Sequence, residues 1–591
     1  MSFRRIIHSA LGIGAVSVLA CSGQDSTALE RAGLGSAAAA LRDMTAAEAS
    51  EDLEQVFTLI RTLYGPYEYK EARFGYSIAE LEEEARERLA AQPGDDGFYT
   101  AANWFLTRLN DGHIFLVPSP SSNPITSYEI GILIQPVSGK ALVADIYDPT
   151  LADRGIEYGD EIVSVDGLTP FEYLDAALEI DAIANDLTNE HLILRTFLRP
   201  GFSERLRPTA PTAHVVVRKA DGTEFTRDLV WQEFQEETAE FPSADGSSPA
   251  LRQPSFVARK LQALTSHAKG SLATIGAVEP FFYTPATTEA FDITPVVPSD
   301  AMLAKYELDP ATLPDIFAAL YSYQGKSFLL IRQSGYGPET YEEIGPQLQW
   351  YRAIMDQYDG FVDGLIVDQT HNPGGYIDYC AGFARLFASK PIQSFVEAVN
   401  TDRAWINDFH EYARFLDPSL STDESLSVEL QASIIEQAYD AGEGITRPLS
   451  WYRENTLAPD DTYVWTKPML VLIDELAGSC GDAFPMLIHN SHVAPLFGRR
   501  TMGLGGNVEQ FGPLTNSDAS LYLTRGLFTS YRDDETYAPG VFVENNGVRP
   551  EIEHVISVDD FRGGFVEYMT HFSEELAHRV DAAAARSTPV P

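Results

Sequence analysis

The residues best suited to covalent chemistry lie in two glycine-rich turns. One is Ala477-Gly478-Ser479-Cys480-Gly481-Asp482, which follows the apolar run Met469-Leu470-Val471-Leu472-Ile473; the other is Asn372-Pro373-Gly374-Gly375, which follows Gly364-Leu365-Ile366-Val367-Asp368. A serine hydroxyl needs a base to take its proton, and a tetrahedral intermediate needs donors aimed at its oxyanion. Ser479 is therefore a candidate nucleophile. The backbone N–H groups of Gly375 and Cys480, each at the start of an expected helix where partial positive charge gathers, are candidate oxyanion donors. Bland readings stand beside these: a Gly-Ser turn often only caps a helix, Asp482 reads as a cap of the same helix, and Cys480 offers a rival thiol nucleophile. His489 and His492 have i, i+3 spacing but no evident third ligand, so no metal is assigned.

Turns of this kind need rigid elements behind them. Strand 328–332, helix 341–358, strand 364–368 and helix 376–387 alternate as an α/β core does, and the core resumes at strand 468–474 after a largely helical excursion. Upstream, Leu53, Val56, Phe57, Ile60 and Leu63 recur at helical spacing. That helical region ends at Asp111-Gly112-His113, ahead of the short apolar strand Ile114-Phe115-Leu116. Between 127 and 231 the pattern changes to short strands, closed by the hairpin signal Ala220-Asp221-Gly222. Within it, Arg154-Gly155-Ile156-Glu157-Tyr158-Gly159-Asp160-Glu161-Ile162-Val163-Ser164-Val165-Asp166-Gly167 resembles the core of a PDZ domain. That resemblance makes Ile130, Gly131 and Ile132 the edge receiving an extended peptide by strand addition, unless the edge is covered.

Taken together, three blocks in order resemble the tail-specific, or carboxyl-terminal processing, serine peptidases: Gly364–Asp368 with Asn372-Pro373-Gly374-Gly375, Ser479-Cys480-Gly481-Asp482, and Gly498-Arg499-Arg500-Thr501-Met502-Gly503. The resemblance implies a multidomain α/β fold: an N-terminal helical region, a PDZ-like β-rich domain and a β/α core of the crotonase-like type, with two insertions. The branch using a Ser–Lys dyad carries lysine where this chain has Leu504. The tricorn-like branch instead uses an N-terminal histidine and a late glutamate. Asp111-Gly112-His113 and Val543-Glu544-Asn545-Asn546-Gly547 resemble those two motifs, which makes His113 the general base and Glu544 its orienting partner. Gly112 replaces the serine that precedes this histidine in tricorn, and Thr370 replaces a frequent arginine of the first block. His371 is a rival base, while His113 closing a turn with Asp111 and Glu544 as a solvated charge are the bland readings. The function implied is an extracytoplasmic serine endopeptidase acting on polypeptides through a Ser479 acyl-enzyme, without cofactor. The alternative is a catalytically inactive binding or regulatory lipoprotein, and a third class is a hydrolase of non-peptide acyl substrates.

The whole chain bounds these readings. Its 591 residues exceed a single core, and a formal charge of -44 without a basic run argues against nucleic-acid partners. Arg4 and Arg5, an apolar stretch and Val18-Leu19-Ala20-Cys21 resemble a lipoprotein signal, which implies export, lipidation of Cys21 and anchoring at the bacterial cell envelope. With only Cys380 and Cys480 beyond it, no disulfide framework holds the fold. The expected layout is signal 1–21, tether 22–45, helical region 46–118, PDZ-like domain 119–232, insertion 233–322, peptidase core 323–390, helical insertion 391–462, core 463–560 and C-terminal helix and tail 561–591.

Overall fold

The computed structural model describes residues 44–117, 125–198, 210–236, 277–338, 340–403, 405–407, 410, 422–450, 456–529 and 542–587. Cys21 with its signal and tether lies outside them. Among the described residues no helix is long and apolar enough to cross a membrane.

The centre of the fold is a seven-stranded sheet of β1 (Thr294–Pro295), β2 (Ala318–Tyr323), β3 (Lys326–Arg332), β4 (Gly364–Asp368), β5 (Met469–Ile473), β6 (Leu496–Gly498) and β7 (Ile552–Glu553). The strands lie side by side in chain order. β3 to β7 run parallel, and β2 and β1 extend the β3 edge antiparallel. Central strands buried on both faces need apolar residues at every position, and the burial alternates accordingly. Leu365, Val367, Val471 and Ile473 pack with Trp350, Tyr351, Phe383 and Phe484 on one face. Ile366, Leu470 and Leu472 pack with Phe561, Met569, Phe572 and Leu576 on the other, where the C-terminal helix Val566–Ser587 lies.

Two departures from the expected layout follow. Residues 277–322, read as part of an insertion, build β1, β2 and the helix Pro285–Phe291, whose Phe291 joins the same buried cluster as Phe572. The signal was the hairpin turn Gln324-Gly325, both residues at positive φ, between apolar runs. The excursion 391–462 contains the helix Thr422–Ala441 but also strand Val396–Val399, which pairs with Gly526–Thr529.

Four helices, α1 (Ala46–Leu63), α2 (Tyr67–Phe74), α3 (Ile78–Ala91) and α4 (Asp95–Arg108), form the N-terminal region. Their apolar faces close over Leu514, Leu521 and Leu523 of the core's late strands. The PDZ-like segment is a five-stranded antiparallel sheet with Ile132–Val137 at one edge. All six residues of that strand are buried, and Ser138 Oγ after it donates to Ile556 O across 3.0 Å. The end of this strand thus touches the segment that follows β7 of the central sheet.

Candidate active site

Both glycine turns stand at the C-terminal ends of adjacent parallel strands, where α/β sheets place their sites. β4 leads into Asn372-Pro373-Gly374-Gly375 and α5 (Ile377–Ala384), and β5 leads through Ser479 into α6 (Cys480–Asn490). Gly478 N donates to Asn372 O at 2.9 Å, and Asn372 Nδ2 to Gln333 O at 2.9 Å, so one turn is tied to the other. At Gly374, with φ +93°, an added Cβ would stand 2.6 Å from Ser479 Cβ and 2.8 Å from Cys480 N. Only glycine permits that approach.

Ser479 has φ 58° and ψ -117°, a sparsely populated conformation of the kind found where surrounding structure enforces it. Although it begins α6, its side chain makes no capping hydrogen bond. The cap reading is thereby removed. Ser479 is partly exposed, whereas Cys480 beside it is buried. Among the described residues, neither Gly375 N–H nor Cys480 N–H has a hydrogen-bond acceptor, so both are free to bind an anion. The Cys480 thiol points at Cys380, Sγ to Sγ 3.1 Å, both as free thiols. Burial pushes its pKa well up, which disfavours the thiolate a cysteine nucleophile needs. Asp482, expected to cap α6, accepts from the Ser479 N–H at the start of that helix and also from Thr501 Oγ1 at 2.5 Å, Gly503 N at 2.9 Å and Leu504 N at 3.0 Å, pinning the third block beneath the nucleophile.

His113 arrives from the end of the helical region. Strand Phe115–Val117 pairs with Ser520–Thr524 and fixes where the preceding turn lies. His113 N donates to Asp111 Oδ1 at 2.9 Å, so the turn-closing contact exists, but the imidazole Nδ1 is buried without a hydrogen-bond partner. A ring nitrogen of His113 and carboxylate oxygens of Asp111 and Glu544 lie within 4.8 Å of one another. Burial lowers the His113 pKa to about 4, so the ring is neutral and holds a lone pair at physiological pH. Glu544 is fully buried rather than a solvated charge: Oε2 accepts from Gly505 N at 3.0 Å and Oε1 from Lys70 Nζ at 2.5 Å. Lys70, on α2, was not singled out from sequence.

The loop of His113 and the turn of Ser479 meet across Leu504. A Cβ on Gly112 would lie 2.9 Å from Leu504 Cδ2, and one on Gly478 3.3 Å from Leu504 Cδ1. The rival base His371 belongs elsewhere, with its Nδ1 3.5 Å from Asp474 Oδ2 and its ring edge-on to Phe281. His489 pairs with Glu551 at 2.9 Å. Of the PDZ-like edge, Ile130 N donates to Leu198 O at 3.4 Å and Gly131 O accepts from Tyr147 N at 3.1 Å and Asp148 N at 3.3 Å. Ile130 and Ile132 are both buried, and Ile132 begins the edge strand of its sheet.

Residues 345–554, which include both turns and the Glu544 loop, match the model of peptidase family S41. This segment of the chain is similar to the S41 peptidase domain. Two proteins of Chlamydia are similar over most of their length. One from Chlamydia pneumoniae is 23% identical over 607 residues, 93% of this chain and 94% of that protein. One from Chlamydia trachomatis serovar D is 24% identical over 581 residues, 88% and 91% of the two chains. Among solved structures, mature CPAF is 19% identical, with a TM-score of 0.71 covering 92% of this chain and 99% of CPAF. Mature CPAF complexed with lactacystin is also 19% identical and gives 0.70, covering 91% and 99%. The S41-like segment therefore lies within a fold shared with CPAF over most of the chain.

Proposed function

We propose that this chain is an extracytoplasmic serine endopeptidase in which Ser479 is the nucleophile, His113 the general base and Glu544 the carboxylate that orients the base. The observation that carries the reading is the Ser479 turn: a strained, uncapped serine at a helix N-terminus beside two backbone N–H groups without acceptors. The neutral imidazole of His113 takes the Ser479 proton as Oγ attacks the scissile carbonyl carbon. The oxyanion formed is received by Gly375 and Cys480 N–H, each such donor supplying about 2.7–4 kcal/mol in a serine peptidase. The imidazolium then protonates the leaving amine, and water, deprotonated by the same ring, releases the acyl group. Glu544 lies beyond a direct hydrogen bond from His113 and within the span of one bridging water. Export and anchoring through Cys21 complete the proposal, and they rest on the signal sequence alone.

A fluorophosphonate probe tests the reading. Labelling of the wild type but not of Ser479→Ala, together with turnover of a peptide library over simple esters, is the expected result. Absence of labelling and turnover under every condition leaves a binding protein with an S41 fold. Lactacystin, bound in one CPAF structure, serves as a second active-site ligand, expected to block the probe.

A further inference from the structure

Lys70 is a fully buried side chain that the chemistry above leaves unused. Its Nζ lies 2.5 Å from Glu544 Oε1, 2.7 Å from Asn545 Oδ1 and 2.8 Å from Asn110 O, with Asp111 Oδ2 4.0 Å away. Three acceptors engage all three N–H bonds of an ammonium, so no lone pair remains and Lys70 is not a proton-accepting base. The same ammonium faces two of the three groups that cluster around the imidazole, Glu544 directly and Asp111 at 4.0 Å.

Its partners come from two loops that must meet for the site to form. Asn110 lies three residues before His113; Glu544 and Asn545 belong to the late loop. Asn110 and Asn545 both take positive φ, 50° and 57°, and Asn545 Nδ2 also donates to Asn110 O at 2.8 Å. Tyr69 OH, from the neighbouring position on α2, donates to Glu544 O at 2.6 Å. We infer that Lys70 is a positioning residue for the proposed peptidase reaction, clamping the His113 loop to the Glu544 loop and holding the Glu544 carboxylate in register with the imidazole. The inference rests on the peptidase reading above.

The titratable and charged groups facing this cluster are Glu544, Asp111, His113, the phenols of Tyr64, Tyr69 and Tyr76, and Arg73, whose Nη2 donates to Asn545 O at 3.1 Å. Burial and the Asp111 charge push the Glu544 carboxyl up, and the Lys70 ammonium pulls it down. The same ammonium also pushes His113 down. Removing it raises both, so the acid limb of activity moves to higher pH.

The test is a double-mutant cycle on the full chain with Lys70→Met, Glu544→Gln and the pair, plus Lys70→Arg, alongside fluorophosphonate labelling of the wild type. Lys70→Met is expected to lower kcat about 100-fold or more with little change in KM, to raise the acid limb of kcat/KM, and to cost almost nothing further in the Glu544→Gln background. Lys70→Arg restores part of the loss. Equal losses in both backgrounds, or a kcat within about twofold of wild type, overturn the inference. If Lys70→Met does not fold, the pair, which removes Lys70 together with its ion-pair partner Glu544, still shows whether it exceeds Glu544→Gln. A wild type that neither labels nor turns over sinks the peptidase reading. The clamp is then judged by the His113 imidazole titration followed by NMR, which moves up in Lys70→Met if Lys70 faces it as described and stays fixed if not.

Discussion

The molecule contains two buried histidine clusters built from nearly the same parts, and they differ in what the histidine is free to do. Around His113 stand Asp111, Glu544 and the cation Lys70. Around His371 and His191 stand Asp474, Glu475 and the cation Arg499, beside a cavity of about 40 Å³ shared with Gln135, Val137 and Ser138 of the PDZ-like segment. In the second cluster each ring faces its own carboxylate: His191 Nδ1 is 3.0 Å from Glu475 Oε1, and His371 Nδ1 3.5 Å from Asp474 Oδ2. His371 N also donates to Asp474 Oδ1 at 2.8 Å, so this cluster fastens the turn after β4 to the end of β5. In the first, the carboxylates are held by other donors: Asp111 by Tyr64 and Thr524 hydroxyls and the His113 N–H, and Glu544 by Lys70 and Gly505. The His113 ring is left neutral, its Nδ1 unengaged, beside the Asp111 carboxylate and a Glu544 carboxyl that burial and Asp111 push up. Burial keeps this ring in the proton-accepting neutral form, and the Asp111 carboxylate is the neighbour that favours the imidazolium once a proton is taken.

The sharpest way to break this comparison is to remove each ring. His113→Ala should lower kcat by about 10⁴-fold or more at unchanged fold, whereas His371→Ala should lower thermal stability while retaining most turnover per folded molecule. Comparable kcat losses in both would make His371 a base. Next, Glu544→Gln keeps the shape and removes the charge, and a kcat loss of about 10³-fold is expected, against little loss for Glu475→Gln. Gly374→Ala tests the turn that both clusters flank. With φ +93° and a methyl 2.6 Å from Ser479 Cβ, a drop of about 10²-fold in kcat measured on folded protein is expected. The smallest effect is the position of a titration. Because burial lowers His113 below an ordinary imidazole, its neutral form persists on acidification, and the acid limb it contributes to kcat/KM should fall near pH 4 rather than 6.5. The stability sign agrees: the unfolded ring binds its proton first, so stability falls as pH drops from about 6.5 towards 4, by on the order of 3 kcal/mol from this group. A limb at pH 6.5 in both catalysis and unfolding would show an ordinary, solvated histidine.

Ser479, Gly375 and Cys480 were legible because a strand, a glycine turn and a helix start are local patterns, and the structure joins their turns directly. His113 and Glu544 were legible only through motif resemblance, since nothing local distinguishes a buried His or Glu from an exposed one. Lys70 was not legible. In Tyr67-Glu68-Tyr69-Lys70-Glu71-Ala72-Arg73-Phe74 it reads as one charge among several on a polar helix, and its partners lie 40 to 475 positions away. Asp482 was read only in part: it accepts from Ser479 N–H at the start of its own helix, but the neighbouring Thr501-Met502-Gly503-Leu504 segment also presents a hydroxyl and two backbone N–H groups to it. The edge strand beginning at Ile132 was visible in sequence, but the contact of the following Ser138 with Ile556, 418 positions away, was not.

The strict chain order of the sheet has a bearing on how this architecture tolerates change. β4 and β5 are neighbours, yet the chain between them leaves the sheet and returns after the excursion 391–462. Because the two turns are registered by Gly478 N to Asn372 O and by strand pairing, the part of the excursion between its core-bound ends, strand Val396–Val399 and Asp460, can lengthen or shorten without altering their spacing, at a closure cost that grows only logarithmically with added residues. Diversification of the outer surface is thereby decoupled from the placement of the nucleophile.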